Sequence, residues 1–394
     1  MLSSVKNNAV LRTLAAVLLL ISTTACGSSK VTMEEIDGVL HVTNPDEALR
    51  PNMTIGFEEL FRIGGDEMAG EEYLFSYIGG IVTGEDHHTF VQVMGEDIIK
   101  VFDDEGRYVR TIGRQGQGPG ELAYAQGVGF GPDGNLWVPS RGSLRIVIFT
   151  TDGDFVKNIP FSLMPPMNIQ TTADGFMGLH VDTRPLGGTM LEMDFLLRRF
   201  DASGDTLNTL SKSTFEVDYL DMQMGKYIEN APLFTQDHEG RVWQCRPRTD
   251  IYRLNVWNPD GTLSMVVEKD VPVMPKSAEE IEEERELVLG IIQQQTSGQM
   301  PEGIDFSYDP DPNRPFLGYP SCDPEGLIWV QAGLKDSFDG NAFDLYDERG
   351  RFLQRIVIEG VVVPTYLQFV DDRLYVAELD PEGIPQVIAY RVTR

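Results

Sequence analysis

The side chains able to do chemistry are few and scattered. In a chain of 394 residues the only imidazoles are His41, His87, His88, His180 and His238, and the only thiols are Cys26, Cys245 and Cys322. Zinc is ordinarily held by Cys and His paired at close intervals, and no such spacing occurs here. His87, His88 and His238 fall in turn-like sequence, where they read as solvated turn residues. His180 alone lies where a strand could point it at an interior channel. With Asp182 and Asp250 it forms the weak set of candidates for calcium or zinc; no other cofactor is expected. Gly116, Gly118 and Gly120 superficially suggest a phosphate loop, but no Lys-Ser/Thr follows, no helix opens and Pro119 intervenes. The G-x-S-x-G turn that presents a hydrolase's nucleophilic serine is absent.

The second group with chemical meaning is basic. Arg141, Arg184, Arg246, Arg248 and Lys335 each stand just past a strand-like run, in a chain whose net charge is −29. They could line a mouth suited to an anionic or sugar-like ligand. The bland alternative pairs them with neighbouring acids such as Asp182, Asp250 and Asp336. The overall charge excludes nucleic acid as a partner and argues against direct adsorption to anionic lipid.

The elements that must position these residues repeat. An aromatic residue precedes a glycine by four positions at Phe102/Gly106, Phe149/Gly153, Phe200/Gly204, Trp257/Gly261 and Tyr346/Gly350. Strand-like runs flank each pair, which is the pattern of a hairpin whose tight turn needs glycine. A second hairpin lies upstream in each unit, marked by Gly134-Asn135-Leu136-Trp137, Gly240-Arg241-Val242-Trp243 and Gly326-Leu327-Ile328-Trp329. Two hairpins per unit of about 44 to 57 residues read as four-stranded propeller blades. The fold class is therefore all-β: a six-bladed β-propeller spanning residues 38–394, with five complete blades and one shared between the termini. Tyr390 ends the last third strand. The missing fourth strand comes from residues 39–43 or 60–63, closing an edge that would otherwise invite aggregation.

Between blades 4 and 5 an insertion at about residues 274–312 opens with the capping box Ser277-Ala278-Glu279-Glu280. It continues as a helix with Ile281, Val288 and Ile292 along one stripe. Propeller topology then sorts the connections. The Gly-centred turns share one face, and their carboxylates (Asp103, Asp133, Asp201, Asp260 and Asp347 among them) read as turn chemistry, with calcium binding the alternative. The opposite face receives the long connections: residues 113–122, residues 211–232 with Phe215, Tyr219, Met222, Met224 and Tyr227, and the helical insertion. Cys245 and Cys322 belong to opposite ends of strands, about 15 Å apart at roughly 3.3 Å per residue, so both are expected free and buried.

Gly113-Arg114-Gln115-Gly116-Gln117-Gly118-Pro119-Gly120-Glu121-Leu122, with Gly131-Pro132-Asp133-Gly134-Asn135-Leu136-Trp137-Val138, resembles an NHL-type repeat. The whole is similar to the 6-bladed β-propeller lipoproteins of Bacteroidota. That resemblance implies the fold and an exported lipoprotein, and little about activity, because the fold hosts many functions.

The N-terminus agrees. Lys6 and Arg12 precede an apolar run at residues 14–21 and a small-residue region ending in Ala25-Cys26-Gly27, the order of a secretory signal. The run is shorter than the roughly 20 residues that span a bilayer. Thr23-Thr24-Ala25-Cys26 resembles a lipobox, although Thr23 stands where leucine is usual. Residues 1–25 are thus expected as signal peptide, Cys26 as the lipidated residue, and residues 26–37 as linker. The expectation is a monomer in the cell envelope, periplasmic or on the outer membrane, touching membrane through its lipid only. It acts as a binding or scaffolding module for a small ligand or a protein partner. The alternative is a metal-dependent hydrolase or lyase, lactonase-like, with its site in the central channel.

Overall fold

A computed structural model describes residues 30–65, 70–296, 304–333, 342–359, 361, 363–380 and 383–394. The signal region, Cys26 and Lys335 lie outside the described residues. Six antiparallel four-stranded units run in ring order as blades, with strands in sequence from the inner to the outer edge in the first five. Blade 2 is typical, with Gly129–Phe130, Leu136–Ser140, Arg145–Phe149 and Phe155–Pro160.

The repeat seen in the sequence has a packing cause. Phe102, Phe149, Phe200 and Tyr346 stand at or one residue before the ends of the third strands and are almost wholly buried. Each following glycine carries a turn that presses on the outer strand of the preceding blade. Gly350 has φ +74°, and a Cβ there would stand 2.5 Å from Val267 Cγ2; at Gly106 it would stand 2.5 Å from the Phe61 ring. A side chain at either position needs both a left-handed backbone and space that the neighbouring blade occupies.

The upstream turns are fastened differently. The indole N–H of Trp137, Trp243 and Trp329 donates to Asp133 (2.8 Å), Asp237 (2.9 Å) and Asp323 (2.8 Å). Asp103, Asp201 and Asp347 likewise accept backbone N–H groups within their own turns. Turn chemistry therefore accounts for these carboxylates.

The ring closes with Gly56–Gly64 as the outer strand of blade 6, antiparallel to Pro385–Thr393. Of the two expected closing segments, this is the second. The first, Val39–Asn44, instead adds in parallel to the outer strand of blade 4, Leu263–Lys269, and carries Thr32–Ile36 beyond it. An ordered strand thus occupies part of the stretch expected as linker. Between these strands the chain drapes over blade 5: Arg50 N–H donates to Leu353 O at 2.8 Å, and Gln354 Nε2 donates to Met53 O at 2.6 Å.

A buried charge network joins blades 4 and 5. Asp344, fully buried, accepts from Arg355 Nε at 2.7 Å and Nη2 at 3.0 Å, and from Tyr252 OH at 2.7 Å. Lys269 Nζ lies 3.3 Å from Asp344 and 3.0 Å from Asp46, and 3.6 Å from the centre of the Phe352 ring.

Two expectations need correction. Residues 211–218 are strand, because the outer strand of blade 3 runs over Thr206–Asp218; the alternation of Phe215 and Val217 with Thr214 and Glu216 continues the sheet. Cys322 is free as expected but only partly buried, while Cys245 is free and buried. The insertion helix runs Ala278–Thr296, and its Ser277–Glu280 box closes with Glu280 N–H to Ser277 Oγ at 3.2 Å and Ser277 N–H to Glu280 at 2.6 Å.

Candidate functional site

Elaboration is concentrated on one face. Blade 3 uses strands of 13, 12 and 13 residues, Gly175–Gly187, Met190–Asp201 and Thr206–Asp218, against five in Leu136–Ser140. Eight further residues carry that hairpin roughly 25 Å beyond its neighbours. It leads into Asp221–Gln223 and the short helix Met224–Asn230, and Asp221–Gln223 pairs in parallel with Asp305–Ser307 of the insertion. Blade 3 and the insertion are thereby stitched together above blade 4.

Under that stitch lies a cleft of about 380 Å³, walled by the short helix, the blade 4 loop at residues 247–250 and the insertion. That volume is in the range of small-ligand sites. Its floor is a half-buried chain of polar groups. Lys276 Nζ stands 2.5 Å from Glu284 Oε2 and donates to Asp311 O at 3.0 Å, and Tyr308 OH donates to the other oxygen of Glu284. Burial, then that carboxylate, push the Tyr308 phenol far above its usual pKa, so it remains a donor. On the opposite wall Arg248 grips Asp250 through Nε (2.8 Å) and Nη2 (2.6 Å), and these bonds hold the Asp250 carboxyl below its usual range. Thr249 Oγ1 donates to Asp311 at 3.0 Å. The charged lining comprises Arg248 and Lys276 against Glu229, Asp250, Glu284, Asp309 and Asp311, so acid predominates.

Of the basic residues singled out in the sequence, Arg141, Arg184, Arg246 and Arg248 are described, and each takes partners of its own. Arg248 alone lines the cleft. Arg184 pairs with Glu192 on the blade 3 hairpin, and Asp182 is taken by Arg198 at 3.0 Å. Arg141 donates to Gln126 Oε1 at 2.7 Å and to Met164 Sδ at 3.2 Å, under the Tyr124 ring. Arg246 donates to Lys212 O at 3.1 Å. Burial lowers the pKa of both Arg141 and Arg246, with Arg248 adding to the effect at Arg246.

The metal candidates are likewise split. His180 is buried in the seam between blades 2 and 3, edge-on to Phe200, instead of facing the channel. Its Nδ1 receives Arg198 Nη1 at 2.5 Å. A guanidinium is always a donor, so the ring carries its proton on Nε2. Burial, then Arg198, lower the pKa and keep the ring neutral. Asp182 lies 3.8 Å from that ring, whereas Asp250 sits in the cleft of blade 4. Among the described residues no three His, Cys, Asp or Glu side chains gather in a way that could hold a metal.

Sequence reading missed three tyrosines. Tyr319 and Tyr366 lie on the inner strands of blades 5 and 6, and Tyr77 immediately precedes that of blade 1. The Tyr319 and Tyr366 rings are 6.0 Å apart, and Tyr366 OH donates to Gly79 O at 2.7 Å. Burial raises all three phenols, Tyr319 to about 12. Each inner strand is bulged beside its tyrosine or its acceptor, between Ile78 and Gly80, Leu317 and Pro320, and Pro364 and Tyr366. Bulges re-aim side chains, and nothing in the local sequence announces them.

The fold and this face define a six-bladed β-propeller with one elaborated, cleft-bearing face. Residues 69–177 match the model of a family described as 6-bladed beta-propeller, DUF5128. No curated protein matches the chain. Solved structures similar to it include a Bacteroides fragilis protein inferred to be exported, 12% identical, covering 90% of this chain and 100% of that one at a TM-score of 0.49. A DUF4221 family member from Bacteroides vulgatus is 11% identical over 86% of this chain and 99% of that one, with a TM-score of 0.47. Virginiamycin B lyase from Staphylococcus aureus is 10% identical over 86% and 99%, with a TM-score of 0.46.

Proposed function

We propose that this propeller is exported, anchored to a membrane through a lipid on Cys26, and binds a hydroxyl-rich, sugar-like ligand in the cleft above blade 4. The observation that carries the reading is the cleft itself. Two separate elaborations, the lengthened blade 3 and the insertion, converge to build it on an otherwise short-turned scaffold. Long connections on a rigid scaffold are where binding concentrates. Its lining alternates donors and acceptors held by two ion pairs, the sheltered Lys276–Glu284 and the exposed Arg248–Asp250, with Tyr308, Ile228, Pro247 and Pro315 as less polar wall. That combination suits a ring bearing several hydroxyls, and the surplus of acid favours neutral or amino sugars over uronic acids.

Calorimetric titration of the mature domain with neutral, amino and acidic saccharides tests this. Neutral or amino sugars should bind, with Asp311→Asn weakening them about tenfold, equivalent to 1.4 kcal/mol. Preference for uronates, or no saccharide binding at all, would overturn the assignment.

The anchor rests on the signal-like N-terminus and the lipobox resemblance at residues 23–26. Cys26→Ser should move the protein from the membrane fraction to the soluble one. Membrane association unchanged by that substitution would remove the lipid from the proposal.

A further inference from the structure

The outer strands of the six blades are treated unequally by the rest of the chain. The second residue after each glycine turn pairs with the aromatic that ends the third strand, giving Tyr108, Phe155, Thr206, Leu263 and Phe352 as equivalent positions. On blade 5 this residue and the next, Phe352 and Leu353, are each 2% exposed, because residues 44–53 drape over them. On blade 4 the strand Val39–Asn44 covers the edge by parallel addition. On blades 1 and 2 no strand of the described chain pairs with that edge, and only Gly120 comes close to Phe155: Tyr108 and Val109 are 36% and 41% exposed, Phe155 and Val156 40% and 42%. The same molecule therefore shows both the bare edge and the kind of segment that covers it, an extended strand with alternate apolar side chains.

A second edge has complementary character. Thr32–Ile36 ends the six-stranded sheet of blade 4, and all five of its residues are exposed, Met33 by 43% and Ile36 by 44%. Between those two apolar residues stand Glu34 and Glu35. On blade 2 the apolar pair Phe155-Val156 is followed by the exposed Lys157. Unpaired strand edges are templates for strand addition, and opposite charges across the new pair favour it.

We propose that the outer edge of blade 2 receives the Thr32–Ile36 edge of a second copy of this chain, adding a strand as Val39–Asn44 adds to blade 4. The donor and acceptor edges differ, so the association is head-to-tail and does not close as a two-fold dimer. One short strand buries little area, and the association is weak and concentration-dependent. This replaces the expectation of a monomer at high local concentration, as on a membrane surface.

The test is sedimentation of the chain from residue 27 onward. The weight-average mass should rise by about 1.5-fold or more between roughly 10 µM and 1 mM, with the gain diminished by high salt. Two variants separate the edges: Phe155→Lys with Val156→Lys on the acceptor, Met33→Lys with Ile36→Lys on the donor. All four residues are exposed, and unchanged circular dichroism and unfolding midpoint check that each variant folds. Each variant alone should stay monomeric, and an equimolar mixture should recover a species of two chains and no larger. A monomer at every concentration overturns the proposal. So does a dimer that neither variant disrupts, or a mixture with no recovery. If a variant misfolds, a synthetic peptide of residues 30–37 serves instead: it should lower the mass of the unmodified chain, and failure to do so counts against the donor edge. Binding of the bare rim to phosphatidylcholine vesicles by a chain that stays monomeric would assign the edge to lipid and overturn self-association.

Discussion

Replacing Asp344 by Ala should lower the unfolding free energy by about 3–5 kcal/mol, the range for breaking one partner out of a buried ion network. Asp344 is fully buried, and its removal leaves Arg355 without its two carboxylate bonds and Lys269 with Asp46 alone. Tyr252 OH loses its acceptor as well, retaining only the contact with Tyr346 OH at 2.5 Å. Burial alone would raise the Asp344 pKa; the Arg355 hydrogen bonds and the charges of Lys269 and Arg355 outweigh it and hold the carboxyl below its usual range. A depressed folded-state pKa contributes stability that is fully present above the unfolded value of about 3.9 and is lost as pH falls through the folded value. Urea unfolding should therefore show the Asp344→Ala penalty intact at neutral pH and shrinking only in strong acid. A loss below about 1 kcal/mol would mean that Asp46 already neutralises Lys269 and that the network is not a unit. Replacing Asp344, Lys269 and Arg355 together by apolar residues should cost less than the single change, because no buried charge is then stranded.

The blade repeat was legible because propeller packing imposes it locally. Each third strand carries a large, mostly buried aromatic near its end, and each following turn must be small enough to sit on the neighbouring blade, so Phe149/Gly153 and its counterparts recur at one spacing. The insertion helix was legible through its capping box and its Ile281-Val288-Ile292 stripe. The site was much less so. Charge near a strand end does not reveal which partner it finds, and Arg184 found Glu192 across its own hairpin instead of a ligand mouth. The lengthening of blade 3 was hidden because residues 211–218 carry polar side chains on one face of a strand that stands in solvent, which in sequence looks like loop. The cleft depends on Asp221–Gln223 meeting Asp305–Ser307, a pairing between segments more than eighty residues apart with no local signature. The tyrosines were invisible for another reason: bulges displace them from the alternation by which inward positions are counted.

Asp237→Ala should cost about 3 kcal/mol, and the isosteric Asp237→Asn about half of that. The carboxylate divides its work between its two oxygens. Oδ1 accepts the backbone N–H groups of Glu239 (3.0 Å) and Arg241 (2.9 Å), which shape the turn. Oδ2 accepts the indole N–H of Trp243 at 2.9 Å and Arg241 Nε at 2.8 Å. Trp243 is wholly buried in the core shared by blades 4 and 5, so with alanine its N–H has no acceptor and bears the full desolvation penalty. Asparagine can keep the backbone half through its oxygen but turns an amide N–H₂ towards two donors, and so loses the indole half. Asp260 provides the contrast: it accepts Thr262 N–H at 2.9 Å and Thr262 Oγ1 at 2.6 Å in an exposed turn with no indole, and Asp260→Ala should cost under about 1 kcal/mol. Urea titrations followed by tryptophan fluorescence read all three. If Asp237→Asn matches the unmodified protein, the indole bond contributes nothing and the turn alone needs the acid. If Asp260→Ala is as costly as Asp237→Ala, the acids of this face share one role as turn formers, and the tryptophan clasp is not what holds the inner hairpins to their blades.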